Sequence, residues 1–161
     1  VIQLNSSKKG IIISVILIVM QLISFYIIEN QIKSKSQIII YITYVIGLIW
    51  VVAAARFQMQ LFQIKSLFSE GFKAFIVVTL VTTFFTYIFY KINPQICEMG
   101  IAENNVLIMK QGNKTPAEIA ENSEQFRAIF IPMMLATNIF IHLLIGAVTS
   151  MFCAGIFSKR Q

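Results

Sequence analysis

Three stretches of this chain carry no charged residue and are each about as long as a bilayer is thick. They are "IIISVILIVMQLISFYII" from Ile11 to Ile28, "IIIYITYVIGLIWVVAAA" from Ile38 to Ala55, and "AFIVVTLVTTFFTYIFY" from Ala74 to Tyr90. A helix rises 1.5 Å per residue, so each crosses the roughly 30 Å hydrocarbon core in one pass. A fourth apolar run extends from Ala128 to Phe157 and contains Pro132. Proline fits the first turn of a helix and disturbs its interior, so the fourth span is expected over about 131–157. The runs are apolar on every side and do not alternate, which excludes strands: in lipid a sheet must close into a barrel. The expected fold is all-α, a polytopic membrane protein with four transmembrane helices in one bundle.

Composition agrees. The chain is 57% hydrophobic and 12% charged, against about a quarter charged in a soluble domain. The net charge of +6 would suggest nucleic acid in a soluble protein. Here the basic residues flank spans, where they set orientation and meet anionic headgroups, and no basic stripe is interleaved with aromatics. The first run is too long for a signal-peptide core and lacks a cleavage pattern, so it reads as a retained span.

An even number of spans places both termini on one side. If that side is the cytoplasm, the inside segments carry Lys8, Lys9, Arg56, Lys65, Lys73, Lys159 and Arg160. The outside segments carry Lys33, Lys35, Lys91, Lys110, Lys114 and Arg127. The small inside excess predicts cytoplasmic termini.

The loops differ in kind. Glu29 to Gln37 is a short polar turn, making the first two helices antiparallel neighbours. In the second loop, Phe57, Leu61, Ile64 and Phe68 recur at helical spacing. They predict either an interfacial helix or an extension of the second span. The third loop, about 93–126, is the most polar part of the chain. Asn93-Pro94 opens a helix, with Asn as cap and Pro in the first turn. Gly112-Asn113 stops it, and Thr115, Pro116 and Glu118 form a capping box that starts a second arm. A helical hairpin outside the membrane is expected, with Ile119, Ala120, Ser123 and Phe126 on the second arm's apolar or small face, the candidate contact for a partner.

Chemistry is sparse. No Asp, Glu, Lys or Arg falls inside a span as delimited above, and such residues are the usual mark of intramembrane function. The single histidine, His142, lies in the fourth span with Asn138, Gly146 and Ser150 at helical spacing. Thr79, Thr83 and Thr86 form a counterpart on the third. Helix packing through small and hydroxyl residues accounts for this stripe; a polar cavity centred on His142 is the functional alternative. Cys97 and Cys153 form no CxxC and have no histidine at ligand spacing, so no metal site is expected. They also fall near opposite ends of antiparallel spans, so no disulfide is expected between them. No nucleophile has a visible base and no cofactor motif appears, so catalytic, cofactor and metal residues are all expected to be absent.

The second half carries a resemblance. "EGFKAFIVVTLVTTFFTYIFYKINPQICE", with Gly71-Phe72-Lys73 before the third span and Ile92-Asn93-Pro94 after it, is one part of it. Gln111-Gly112, the acidic helix from Pro116 to Glu121, and "GAVTSMFCAGIFSKR" complete it. This pattern resembles a bacterial inner-membrane family catalogued as domain of unknown function 4199. The resemblance implies four spans and a bacterial cytoplasmic-membrane location, and brings no established activity. With no catalytic set in the residues, the expectation is a structural or accessory subunit that binds lipids and either other membrane proteins or itself, with no nucleic acid. The alternative is a transporter-like or lipid-binding homo-oligomer with a polar cavity near His142.

Overall fold

A computed structural model describes residues 5–27, 33–112 and 115–158. Its elements are α1 (Ser6–Tyr26), α2 (Lys33–Gln58), α3 (Ile64–Ile92), α4 (Gln95–Gln111) and α5 (Pro116–Phe157). Among the described residues there is no strand. Four helices, all but α4, are long and apolar enough to cross a membrane. The all-α architecture with a further helix between the third and fourth spans is as the sequence predicts. Of the turn expected at Glu29 to Gln37, residues 29–32 lie outside the described residues, and α2 has already begun at Lys33.

The chain divides into two compact units. One is Val1–Thr82 with Ile139–Gln161, the other Thr83–Asn138, and the division falls inside α3 and inside α5.

The first unit is a bundle of α1, α2, the first part of α3 and the last part of α5. Its core joins Ile13 and Leu17 of α1 to Tyr44, Leu48 and Val51 of α2 and to Ala74, Phe75 and Val78 of α3. A second cluster joins Val52, Ala55, Leu67, Cys153 and Ala154. Lipid tails are as apolar as leucine, so close contact, and not expulsion from water, holds such helices together. Small residues supply that contact. A Cβ on Gly10 would lie 2.8 Å from the Ala74 carbonyl oxygen, so α1 meets the α3 backbone directly. The opposite side of α1, including Ile12, Val15, Ile16, Val19 and Ile23, is exposed. In water that surface would aggregate; in a bilayer it is the face a span presents to lipid.

The corner between α2 and α3 corrects one expectation. Phe57, Leu61, Ile64 and Phe68 do not share a face, because α2 ends at Gln58 and the chain reverses before α3 starts at Ile64. Gln60 takes a left-handed φ of 52° at the corner. Arg56 fastens it, donating to the Phe157 carbonyl at 2.9 Å with its guanidinium 4.0 Å from the Phe62 ring. A cation at the carboxyl end of α5 also suits the helix dipole.

The second unit holds the end of α3, all of α4 and the first part of α5. Asn93 does not cap α4 as expected. Its amide turns back to donate to the Phe89 carbonyl at 2.9 Å, closing α3, and Pro94 takes the cap position. Gly112 ends α4 at φ 68°, its N–H donating to the Met109 carbonyl. The capping box at Thr115 forms as read. The Glu118 carboxylate accepts from the Thr115 N–H at 2.6 Å, and the Thr115 hydroxyl accepts from the Glu118 N–H at 3.4 Å.

Pro132 does not begin the fourth membrane helix, contrary to expectation. α5 runs unbroken for 42 residues with Pro132 inside it. Proline removes one N–H, so one bond to the Ala128 carbonyl is lost. A long helix with intact turns on both sides absorbs that loss, and membrane helices tolerate interior proline because neighbouring groups re-satisfy the freed carbonyl.

Candidate functional site

The polar and small residues predicted on the third and fourth spans are divided between the two units. In the first unit, His142 is 5% exposed. Its backbone carbonyl accepts from the Tyr44 hydroxyl at 3.0 Å, and its ring lies 5.1 Å from that of Tyr44 and 6.2 Å from that of Tyr41, centroid to centroid. Gly146 lets α5 close on this group, since a Cβ there would lie 2.7 Å from both the Tyr44 hydroxyl and Phe75. The buried Thr79 hydroxyl donates to the Phe75 carbonyl one turn back. Ser150 is fully buried against Gly71, and its hydroxyl has no hydrogen-bond partner among the described residues. In the second unit, Asn138 donates from Nδ2 to the Thr83 hydroxyl at 3.1 Å, and Thr86 is buried. These contacts are of the kind that hold helices together in lipid, where hydroxyl and amide groups bond across a close approach. Cys97 and Cys153 are both free.

A group of charged residues that the sequence reading passed over lies in the first unit. Glu70 is 7% exposed although it precedes the apolar run of the third span. The reason is the corner described above: α3 begins at Ile64, so Glu70 is already inside the helix and faces α1. One carboxylate oxygen accepts from the Ser6 hydroxyl and the other from the Lys73 ammonium, each at 2.6 Å. Ser6 is fully buried and Lys9 is 2% exposed, its ammonium 5.6 Å above the Trp50 ring. Removing such charges from water is expensive unless they are paired and bonded, and the carboxylate meets that condition with both oxygens. The signal was present as matched four-residue steps. Ser6 and Gly10 on α1 meet Glu70 and Ala74 on α3, and only the tertiary pairing gives the steps meaning.

The second unit is fastened by a different ionic group. Arg127 of α5 grips Glu98 of α4 with two parallel bonds, Nε to Oε1 and Nη2 to Oε2, both 2.9 Å. It also donates to Glu124 at 2.6 Å. The Arg127 hydrogen bonds hold the Glu98 carboxyl below the usual carboxylate range. Partial burial, and then the charge of Glu98, push the neighbouring Cys97 thiol up. Ser123, one of the predicted hairpin residues, meets the side-chain amide of Asn105, accepting from Nδ2 at 3.0 Å. Phe126 and Phe130 close over Gly100. Two of the predicted contact residues, Ser123 and Phe126, thus brace the hairpin from inside, while Ile119 is half-buried and Ala120 is exposed.

That bracing leaves a different apolar face uncovered. Met99, Ala102, Val106 and Met109, spaced at helical intervals along α4, are all exposed, and Leu107 beside them is 60% exposed. Ile101 and Ile108, on the other side of the helix, are buried. Among the described residues, no three His, Cys, Asp or Glu side chains gather closely enough to hold a metal ion.

Comparison with curated proteins and with solved structures gave no match. A protein-family model does match, over residues 8–159, nearly the whole chain. The sequence resemblance rests on Gly71-Phe72-Lys73 and Ile92-Asn93-Pro94 at the two ends of the third span, on Gln111-Gly112, on the acidic start of α5 and on the GAVTSMFCAGIFSKR run, and the chain belongs to the family of proteins of unknown function designated DUF4199.

Proposed function

We propose that this protein is a structural or accessory subunit of a bacterial cytoplasmic membrane that binds other membrane proteins through the face of α4. The observation that carries this reading is the uncovered stripe of Met99, Ala102, Val106 and Met109 on a helix whose opposite side buries Ile101 and Ile108 and whose edge is held to α5 by Asn105–Ser123 and Glu98–Arg127. A preformed apolar face loses little conformational entropy on docking, which favours binding. The basic residues at the start of α1, the end of α2 and the start of α3 support cytoplasmic termini, which puts the hairpin outside.

A cavity centred on His142, the transporter-like or lipid-binding alternative, has less support. Gly146 faces Tyr44 and Phe75 at distances that leave no room for one methyl group. The activity is accordingly read as binding and not catalysis. The test is extraction of the full chain from its native membrane in mild detergent, beside a chain shortened by residues 93–124, with quantitative identification of the membrane proteins that accompany each. Proteins present with the full chain and missing from the shortened one are the expected result. Identical companions for both would refute the assignment.

A further inference from the structure

The exposed face of α4 carries two charges in its middle. Met99, Glu103, Val106 and Lys110 recur at steps of four, three and four residues, so they form one line along the helix. Ala102 and Met109 flank that line on one side and Leu107 on the other. Glu103 and Lys110 are both exposed, and neither enters an ion pair among the described residues. Nor does either have an opposite charge three or four residues away on its own helix, where a local pair would form.

The placement of these charges selects the occupant. A helix that rests on a bilayer keeps its charges on the face turned to water and offers the lipid an unbroken apolar one. Here an acid and a base interrupt the centre of the apolar face. The covering surface must therefore offer a base to Glu103 and an acid to Lys110, with apolar groups around them. The face itself is such a surface. Glu103 and Lys110 are seven residues apart, which is about 10 Å along the axis and within about 20° around it. When two such faces meet antiparallel across a two-fold axis near Val106 and Leu107, Glu103 of each copy stands opposite Lys110 of the other. A parallel arrangement would set like charge against like.

We propose that a second copy of this chain docks on the exposed face of α4, the two α4 helices antiparallel and joined by two reciprocal Glu103–Lys110 pairs around an apolar centre. This pairing rests on the reading of α4 as a docking face and names a partner for it. A patch that complements itself across a two-fold axis is the usual basis of a homodimer, and charges placed in this way fix the register of the pair.

Charge reversal tests the pairing, because symmetry makes each residue serve in two contacts. Full-length chains carrying two different tags are co-expressed and extracted from the membrane in mild detergent at low salt. They are captured through one tag while the other is quantified. Two parent chains should be captured together. Glu103→Lys in both chains, or Lys110→Glu in both, sets like charges at both contacts and should lower co-capture about tenfold, the weight of two exposed pairs turned repulsive. Glu103→Lys in one chain with Lys110→Glu in the other restores both contacts and should return co-capture to the parent level. Both residues are exposed and hold no ion pair, so helical circular dichroism and yield should be the same throughout. Parent chains that are not captured together overturn the proposal, as do single reversals without effect or a mixed pair as weak as either reversal alone. If the chain captures no copy of itself while Val106→Glu/Met109→Glu still strips other membrane proteins from it, α4 remains the docking face and only the second copy is wrong. If neither depends on these residues, α4 lies against lipid and both readings fail.

Discussion

Two carboxylates, Glu70 and Glu98, each bind a basic side chain and do opposite work. Glu70 is buried, its oxygens divided between Ser6 of α1 and Lys73 of its own helix. Glu98 is exposed and takes a parallel two-bond grip from Arg127 on another helix. The first is held by its surroundings, and its loss leaves the buried Ser6 hydroxyl without its acceptor and the buried Lys9 without its nearby acid. The second is held by geometry in water and is weakened by salt and by acid. The lesson is that the first unit uses polar contacts to fix which helices touch, whereas the second uses them to fix the shape of a hairpin. A fixed hairpin can leave one apolar face open.

The largest effect should come from breaking the buried group. Glu70→Ala leaves the Lys73 and Lys9 charges without their acid and the Ser6 hydroxyl without its acceptor. It should cost about 3 kcal/mol, the upper end of the usual cost of leaving a buried polar group without its partner. Thermal unfolding in detergent measures it, and the loss should change little with salt. A strongly salt-dependent loss would place Glu70 with Glu98 and dissolve the contrast.

Next is the close approach at Gly146. Gly146→Leu pushes into Tyr44 and Phe75 and should cost about 1–3 kcal/mol, the range for overpacking, with the Tyr44 bond to the His142 carbonyl lost. A variant as stable as the parent would mean that space exists beside His142, and would revive the cavity reading.

A smaller change is expected at Gly112. No neighbour lies within 4 Å of an added Cβ, so only its φ of 68° resists substitution. Gly112→Ala should cost about 1 kcal/mol, from the left-handed conformation. The effect should appear as faster amide exchange in α4 and the start of α5.

The smallest effect is the pH response of Glu98. Its folded pKa lies below the ordinary value of 4.5. The stabilisation from its pairing is therefore complete above the unfolded value and is lost as pH falls through the folded one. Protease resistance of the hairpin should stay constant down to the ordinary carboxylate range and decline below it. Added salt should shift the decline, and Glu98→Gln should remove it.

How much of this was legible in the sequence depended on how local the cause was. The four apolar runs needed only their length. The Thr115–Glu118 box and the Gly112 stop are decided within four residues, and both stand where the residues put them. Pro132 misled because proline's preference for a first turn is weaker than the continuity of a long helix in lipid. Asn93 misled because it stands between the open carbonyls that end α3 and the open N–H groups that start α4, and its amide nitrogen took the former, at Phe89. Glu70 was invisible for a different reason. It stands outside the apolar run and becomes buried only because α1 lies against α3, a fact no window along the chain contains. The face of α4 was obscured in the same way. Without knowing that Ser123 and Phe126 turn inward, the second arm looks like the side to offer a partner.

The central claim is that the uncovered stripe on α4 is what the protein presents to others. Its most direct test replaces Val106 and Met109 by glutamate, since both are exposed and neither takes part in the contacts that brace the hairpin. Parent and Val106→Glu/Met109→Glu chains are extracted side by side in mild detergent, and their accompanying membrane proteins are quantified. The account predicts equal helicity and yield for the two, with the parent's companions lost from the double variant. The same companions recovered with both chains, or a parent chain that emerges alone, would contradict it.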